Sequence, residues 1–182
     1  MLRIIGSIDC ETGGLDPLRH SILSFGLVPL NQDFSPVQGI PSLQLFMYEP
    51  KLEVDPDALR INKLFDYQKH ASYKDCFIKL LSYIDKYKIG KIEPLGQELD
   101  FDFSFIQFWL MNETRKIFDR TKRDTRRVAQ ALIDAGFYSG STSLVNLCSA
   151  FEVPIQAHDS IGDATAVSLL YPKMIKRLKG EH

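Results

Sequence analysis

The sequence predicts a single α/β domain over residues 1–182, with a mixed five-stranded sheet and helices on its faces. Strand-like segments come first and are joined as hairpins, and further strands then alternate with helices, an order typical of mixed sheets with helical layers. The length of 182 residues fits one domain, and a hydrophobic fraction of 45% is sufficient for a sizeable core. In such folds, sites gather at the carboxyl ends of the central strands.

The predicted strands are apolar runs between turn-forming residues. Residues 2–9 are rich in isoleucine and end at an acidic residue, which indicates a buried strand. Glycines and a proline then break regular structure over residues 13–17, and a segment with two prolines and a glycine joins the second run to the third. The predicted strands are residues 2–9, 21–30, 42–48, 91–95 and 116–118.

The predicted helices follow from hydrophobic spacing and from caps. Four apolar residues recur at helical spacing within residues 73–87, and Gly90 is typical of a glycine cap after that helix. Phe101 and Phe105 have the spacing of a buried helix face. The predicted helices are a short one within residues 56–70 and longer ones over residues 73–87, 101–116, 125–135, 143–151 and 161–178.

Cysteine usage and hydropathy predict a reducing, cytoplasmic location. The three cysteines are scattered and form no CxxC pair, so a disulfide framework or a structural zinc site is not expected. The apolar start meets Asp9 too early for a signal peptide, and no apolar run approaches the roughly 18 residues of a membrane span. We therefore expect no membrane association.

The charge distribution leaves the binding partner open. The net charge is −1, so the chain lacks the global basic field of many nucleic-acid-binding proteins. One local basic cluster lies in the predicted loop after residue 118, and it is the best candidate for a contact with a phosphate backbone, although solvated surfaces explain such runs more often. Its members are Arg120, Lys122, Arg123, Arg126 and Arg127.

Asp9 and Glu11 end the first predicted strand. Side chains two residues apart in an extended segment point to the same face, so the two carboxylates should converge while Cys10 turns away. Converging carboxylates repel each other, and a divalent cation is the usual remedy. An ordinary transition from strand to loop is the alternative, since acidic residues are common there.

Two further acidic segments are candidates for the same site. Asp100 and Asp102 open a predicted helix, where acidic residues are favoured by capping and by the helix dipole; Asp100 is the better cap, and Asp102 could point toward the sheet. Ser160 and Asp163 match a capping box with aspartate in place of Glu or Gln. His158 precedes that helix, in a loop where it would be a surface residue or a mobile base beside Asp163.

These three segments resemble the motifs of the DnaQ-like, or DEDDh, 3′–5′ exonucleases of the ribonuclease H-like superfamily. The family pattern Asp-x-Glu-Thr-x-Gly-Leu is matched by residues 9–15, and His-Asn-x-x-Phe-Asp-x-x-Phe corresponds to residues 97–105. The pattern His-x-Ala-x-x-Asp-Ala corresponds to residues 158–164. The order and separations of the motifs agree, and the resemblance covers essentially the whole chain.

The sequence departs from the family pattern at three positions. Gln97 and Glu98 replace the usual His-Asn pair, which removes the expected substrate contacts there and adds a negative charge near the expected metal ions. Ser160 replaces an alanine and could cap the helix. The five presumed catalytic positions all carry the expected residue types.

The resemblance implies that four carboxylates hold two Mg²⁺ or Mn²⁺ ions. One ion would lower the pKa of a bound water, and the other would stabilise the leaving 3′ oxygen. His158 would accept the water's proton, a role that suits histidine because its ordinary pKa near 6.5 leaves it largely neutral at cellular pH. The presumed metal ligands are Asp9, Glu11, Asp102 and Asp163, which with His158 make up the catalytic set.

The substrate implied by the resemblance is the 3′ end of single-stranded DNA or RNA, from which nucleoside 5′-monophosphates would be released. Small residues after the metal ligands would let the backbone approach the terminal sugar. Leu15 would wedge against the terminal base, or be a plain core leucine. The candidate substrate contacts are Thr12, Gly13, Gly14, Leu15 and Phe105.

Two other functions remain possible at this stage. One is a catalytically silent nucleic-acid-binding or polymerase-associated module, although such a module has no reason to concentrate buried negative charge. The other is a metal-dependent phosphodiesterase acting on small nucleotides. A homodimer is a further possibility by analogy with relatives that degrade short RNA.

Overall fold

The computed structural model of the protein describes residues 1–181. Its strands are β1 (Leu2–Thr12), β2 (Ile22–Leu30), β3 (Leu43–Phe46), β4 (Ile89–Gly96) and β5 (Arg123–Asp124). They form one sheet in the order β3-β2-β1-β4-β5. β1 pairs antiparallel with β2 and parallel with β4, and β5 is parallel to β4. The prediction of a mixed five-stranded sheet is therefore confirmed.

Helices cover both faces of this sheet, which is why β1 is buried on both sides. Ile4 and Ile8 pack against the helices after β3 and β4, whereas Ile5 faces the C-terminal helix. A third cluster joins the last three helices. The helices are α1 (Pro56–Asn62), α2 (Tyr73–Lys86), α3 (Leu99–Leu110), α4 (Thr114–Ile117), α5 (Thr125–Asp134), α6 (Leu144–Ala150) and α7 (Ser160–Leu178).

The predicted strand over residues 116–118 is wrong. That segment belongs mostly to α4, and only Phe118 forms a β-bridge, with Ile92. A short apolar run has no periodicity that separates a helix from a strand, so the sequence could not decide between them. The fifth strand is Arg123–Asp124, which lies within the predicted basic loop and forms because it pairs with the end of β4. Two charged residues carry no strand signal of their own.

Two predicted helices are shorter in the structure than in the sequence interpretation. The helix within residues 56–70 starts after Asp55 and ends at Asn62 because Lys63 adopts a left-handed conformation with φ of 59°. The helix predicted over residues 101–116 ends at Leu110, since Met111 has a positive φ of 50°. Both helices end at a residue with a positive φ, and the spacing of polar and apolar residues does not predict where such a residue occurs.

The three cysteines are free and buried. No helix within residues 1–181 combines the length and the apolar character needed to cross a membrane.

The N-terminus of α7 lies directly on the sheet at Gly26 of β2. A Cβ atom at this position would lie 2.3 Å from the carbonyl oxygen of Ser160, far inside contact distance. Hydroxyl groups also bind α7 to the sheet. Ser24 and Ser160 share a hydrogen bond of 2.6 Å, and Ser7 donates to the carbonyl oxygen of Ala164 over 2.7 Å. This packing sets the position of the first turn of α7 relative to the end of β1.

We expect Gly26→Ala to lower the free energy of unfolding by about 2–3 kcal/mol, because the added methyl group must displace backbone of α7. Gly39→Ala is the control: no heavy atom lies within 4 Å of its Cβ position, but its φ of +78° makes a side chain there strained, at a cost of about 1 kcal/mol. Urea unfolding measures both. Losses of equal size would contradict the close packing at Gly26.

Candidate active site

Asp9, Glu11 and Asp163 converge at the carboxyl end of β1. Each offers a carboxylate oxygen, and the three oxygens lie within 4.8 Å of one another. Asp9 and Glu11 share a face of β1 while Cys10 turns into the core, as the alternation of an extended strand predicts. Asp163 stands in the first turn of α7, which the contact at Gly26 holds against the sheet. The predicted convergence of these three carboxylates is therefore present.

Asp102 joins this group from α3. The helix begins three residues after β4, so its first turn lies at the same edge of the sheet. The Asp102 side chain is 3% exposed and accepts a hydrogen bond from the backbone N–H of Cys10, between the two acidic residues of β1. Its Oδ2 atom has no hydrogen-bond partner.

The pKa values of all four carboxylates are raised, and burial is the first cause for each. Burial is the largest cause for Asp9, and the charges of Asp102, Glu11 and Asp163 add to it. Burial also raises the pKa of Glu11 to about 7, with Asp163 as the next cause. The pKa values of Asp102 and Asp163 are raised for the same first reason. The neighbouring side chains therefore do not offset the negative charge that the four carboxylates would carry when ionised.

The donor set fits a divalent cation. Asp102 Oδ2 and Asp163 Oδ1 are buried without a hydrogen-bond partner, although buried polar atoms are nearly always paired. Carboxylate oxygens are the ligands that Mg²⁺ and Mn²⁺ prefer. A cation among them would supply the missing partners and offset the repulsion that raises the pKa values.

His158 is exposed in the loop before α7 and has a left-handed backbone with φ of 66°. Its backbone N–H donates to Asp163 Oδ2 over 3.1 Å. The loop is thus tied to a carboxylate of the site, and the imidazole lies on the solvent side. The prediction of a histidine beside Asp163 agrees with this geometry.

The predicted capping box at Ser160 is wrong. Asp159 is the N-cap of α7, and its carboxylate accepts from the N–H of Gly162 at 3.1 Å. The same carboxylate accepts from Gln44 of β3 at 2.7 Å. Asp163 accepts from His158 instead. Sequence reasoning missed Asp159, whose charge contributes to the raised pKa values of Asp9 and Glu11; its place one residue before the helix was the available signal.

A cavity of about 450 Å³ opens beside the carboxylates. Its acidic lining residues are Glu11 on the side of the carboxylates and Asp55 and Asp57 at the start of α1, and apolar side chains of the loop after β1, of α1 and of α3 complete the walls. The lining includes Thr12, Gly14, Leu15, Ile61, Asn62 and Phe101. Asn62 is buried and donates to the carbonyl oxygen of Thr12 over 3.2 Å, which ties α1 to the end of β1. The sequence analysis did not single out Ile61 or Asn62, because nothing local marks α1 as a wall of the site.

Phe105 is not a substrate contact. Its side chain is 1% exposed and belongs to the core, whereas the ring of Phe101, 5.2 Å away between centroids, lines the cavity. The spacing suggested that both were buried, and this is wrong for Phe101. The reason is that α3 rests on the sheet through Phe105 while its first turn projects past the end of β4.

The two glycines after Glu11 and Thr12 are required by internal packing. A Cβ at Gly14 would lie 2.5 Å from the ring of His20, and one at Gly13 would lie 3.1 Å from Val54. Gly14 lines the cavity, but the cavity lining does not include Gly13. Leu15 is 84% exposed at the cavity mouth, so the alternative of a plain core leucine is wrong.

The residues that replace the family's His-Asn pair have new partners. The Gln97 side chain donates to the carbonyl oxygen of Thr142 over 2.8 Å, and Glu98 forms an ion pair with Arg126. Asp100 is not the cap of α3, because the carboxylate of Asp124 accepts the N–H of Leu99. Neither Gln97 nor Glu98 lines the cavity beside the four carboxylates.

A mixed sheet of this order, with four carboxylates gathered at the end of its central strand, has the architecture of the ribonuclease H-like class. A family model described as exonuclease (RNase_T) matches residues 7–171. The chain therefore belongs to this exonuclease family, the DnaQ-like family of DEDDh exonucleases.

Solved structures of nucleases share the fold at low sequence identity. Exonuclease I from Methylocaldum szegediense has a TM-score of 0.74 and 18% identity, over 97% of this chain and 40% of its own. Escherichia coli exonuclease I in complex with a dT13 oligonucleotide has a TM-score of 0.72 and 17% identity, over 98% and 41%. Cell-death related nuclease 4 has a TM-score of 0.73 and 11% identity, over 96% and 63%. The chain thus spans about two fifths of the exonuclease I chains.

Proposed function

We propose that the protein is a metal-dependent 3′–5′ exonuclease that removes nucleoside 5′-monophosphates from single-stranded DNA or RNA. The observation that carries this proposal is the convergence of four carboxylates, two of which have buried oxygens without partners, next to a cavity with apolar walls. The related exonuclease I fold has been solved with a dT13 oligonucleotide, which supports a single-stranded substrate.

Asp9, Glu11, Asp102 and Asp163 would hold two Mg²⁺ or Mn²⁺ ions. When bound, the ions would activate a water molecule and stabilise the leaving 3′ oxygen. His158 would accept the proton of the attacking water, since its imidazole lies on the solvent side of Asp163 and is not committed to the core.

The cavity would hold the terminal nucleotide of the strand. Its volume of about 450 Å³ lies within the range of small-molecule sites and suits one nucleotide rather than several. The exposed Leu15 and Phe101 offer apolar surface for the base, and base–aromatic stacking tolerates every sequence. Thr12 and Gly14 would face the sugar. Since α1 forms the far wall, the strand would enter by its end, which favours the release of one nucleotide at a time.

The test follows 5′-labelled single-stranded DNA and RNA of equal sequence with Mg²⁺, with Mn²⁺ or with EDTA. We expect a metal-dependent ladder that shortens from the 3′ end, and no ladder with Asp163→Asn. Intact polymers under every condition would contradict the proposal. Cleavage of dinucleotides alone would then identify a small-nucleotide phosphodiesterase, and binding without hydrolysis would identify a silent module.

A further inference from the structure

A second groove continues the cavity on the other side of Phe101. It has a volume of about 400 Å³, and Phe101 lines both spaces. In the sequence, Phe101 is preceded by Asp100, which lines the second groove, and is followed by Asp102, a carboxylate of the site. A strand whose last nucleotide occupied the cavity would therefore meet this groove next. Its lining is Glu98, Asp100, Phe101, Asp124, Arg126, Arg127 and Gln130.

The cations at this groove are paired with two carboxylates at the start of α3, those of its N-cap Glu98 and of Asp100 in its first turn. Glu98 pairs with Arg126, while Asp100 accepts from Lys122 and from Arg127, each at 2.7 Å. A third carboxylate, Asp124, is buried and accepts backbone N–H groups of α5. The lining thus holds two arginines and three carboxylates, and Lys122, which lies outside the lining, is paired with Asp100, so the groove has no excess positive charge to attract a polyanion.

Most of the side chains in these ion pairs are exposed to solvent, so an incoming anion could replace the carboxylate partner. The exposed fractions are 51% for Glu98 and 52% for Arg126, and 69% for Asp100 and 70% for Arg127. Ion pairs at this exposure are weak and are screened by salt. A phosphate oxygen is an equally good acceptor for a guanidinium or an ammonium group. A phosphate could therefore take over these cations without any rearrangement of the core.

We propose that this groove receives the phosphates next to the 3′-terminal nucleotide and that Glu98 and Asp100 are built-in competitors for its cations. The inference rests on the proposed function. Each phosphate must displace a carboxylate before it gains a cation, so affinity rises little as the strand becomes longer. Glu98 and Asp100 thereby act as specificity-determining residues that favour short single strands over long ones.

The test measures binding of fluorescent single-stranded 12-mer and dinucleotide in EDTA, which prevents hydrolysis. We expect Glu98→Gln/Asp100→Asn to bind the 12-mer about three- to tenfold more tightly at low salt, with a smaller gain for the dinucleotide. The plot of log K against log salt should become steeper by about 2, since three cations are freed and each contributes about 0.7 on a single strand.

The matched control removes two carboxylates elsewhere. Asp85→Asn/Glu113→Gln breaks the ion pairs with Lys88 and Lys116, before the start of β4 and beyond the end of α3. It changes the net charge equally and should leave the gain and the salt slope nearly unaltered. All substitutions are at the surface, so Tm should stay within about 2 °C.

Three results would overturn the inference: no gain for the 12-mer, an equal gain for both lengths, or an equal gain in the control. Each would do so even if the wild-type protein degrades strands from the 3′ end. Conversely, the Glu98→Gln/Asp100→Asn variant could bind the 12-mer more tightly and with greater salt sensitivity while the wild-type protein hydrolyses no polymer. That result would support the proposed role of the groove and contradict the exonuclease proposal. The two failures are therefore distinguishable.

Discussion

Asp9→Asn is expected to abolish hydrolysis while making the metal-free protein more stable. The amide keeps the shape of the carboxyl group but cannot ionise, whereas burial and the charges of Asp102, Glu11 and Asp163 raise the pKa of Asp9 and disfavour its ionised form. Loss of a metal ligand should lower turnover by on the order of 10³-fold or more. In EDTA the free energy of unfolding should rise, because the folded state no longer has to hold an ionisable group whose charged form it disfavours.

The pH dependence of stability gives this prediction a second readout. An acid with a higher pKa in the folded state keeps its proton there after the unfolded chain has lost it, so stability falls as the pH rises. For Glu11 the fall runs from its ordinary value of 4.5 to about 7. Thermal unfolding of the wild-type protein in EDTA should therefore show a Tm that decreases over this range. The decrease should be shallower in Asp9→Asn.

Asp124→Asn is the matched control for Asp9→Asn. Asp124 is also an aspartate with little exposure, but its carboxylate accepts the N–H groups of Leu99, Arg126 and Arg127. An amide cannot replace all of these acceptors, so this variant should lose stability in EDTA by about 1–2 kcal/mol. If Asp9→Asn were destabilised to the same extent, the carboxylates would not be in conflict and the metal site would be in doubt.

His158→Asn is expected to lower turnover by about 10²–10⁴-fold with little change in Tm. The magnitude is that of a lost general base, and the small effect on stability follows from the exposure of the side chain. Asparagine tolerates the left-handed backbone of residue 158, with its φ of 66°, better than most residues. The hydrogen bond from the backbone N–H of residue 158 to Asp163 should therefore be retained in the variant.

Chemical rescue separates a proton acceptor from a structural role at residue 158. Added imidazole should restore part of the turnover of His158→Asn, and the acidic limb of the pH–rate profile should disappear in the variant without imidazole. His70→Asn removes a histidine that packs against Phe46 and lines neither described cavity, and it should keep full turnover. Wild-type turnover in His158→Asn would exclude the imidazole as the base.

The candidate site was largely predictable from local spacing together with a family resemblance. Alternation along a strand is enough to place Asp9 and Glu11 on one face with Cys10 behind them, and the structure agrees. The motifs identified Asp102, His158 and Asp163 before any geometry was known. Their common feature is that each role depends on a short segment at the end of a strand or helix.

Other features could not be derived because they depend on contacts between distant segments. Phe101 and Phe105 have the same local pattern, yet one lines the cavity and the other is core, since only the packing of α3 on the sheet separates them. The fifth strand exists because Arg123 and Asp124 meet the end of β4. Likewise, the sequence showed a basic cluster but not that Arg126 is paired with Glu98.

The sequence by itself determined the class of fold, the exonuclease family and the five residues presumed to be catalytic. These properties reside in periodicity and in motifs, which act over a few neighbouring residues. The tertiary structure decided which carboxylate oxygens lack partners, which aromatic ring lines the cavity and which cations are already neutralised. Burial and charge pairing are set by segments far apart in the chain, and no local pattern contains that information.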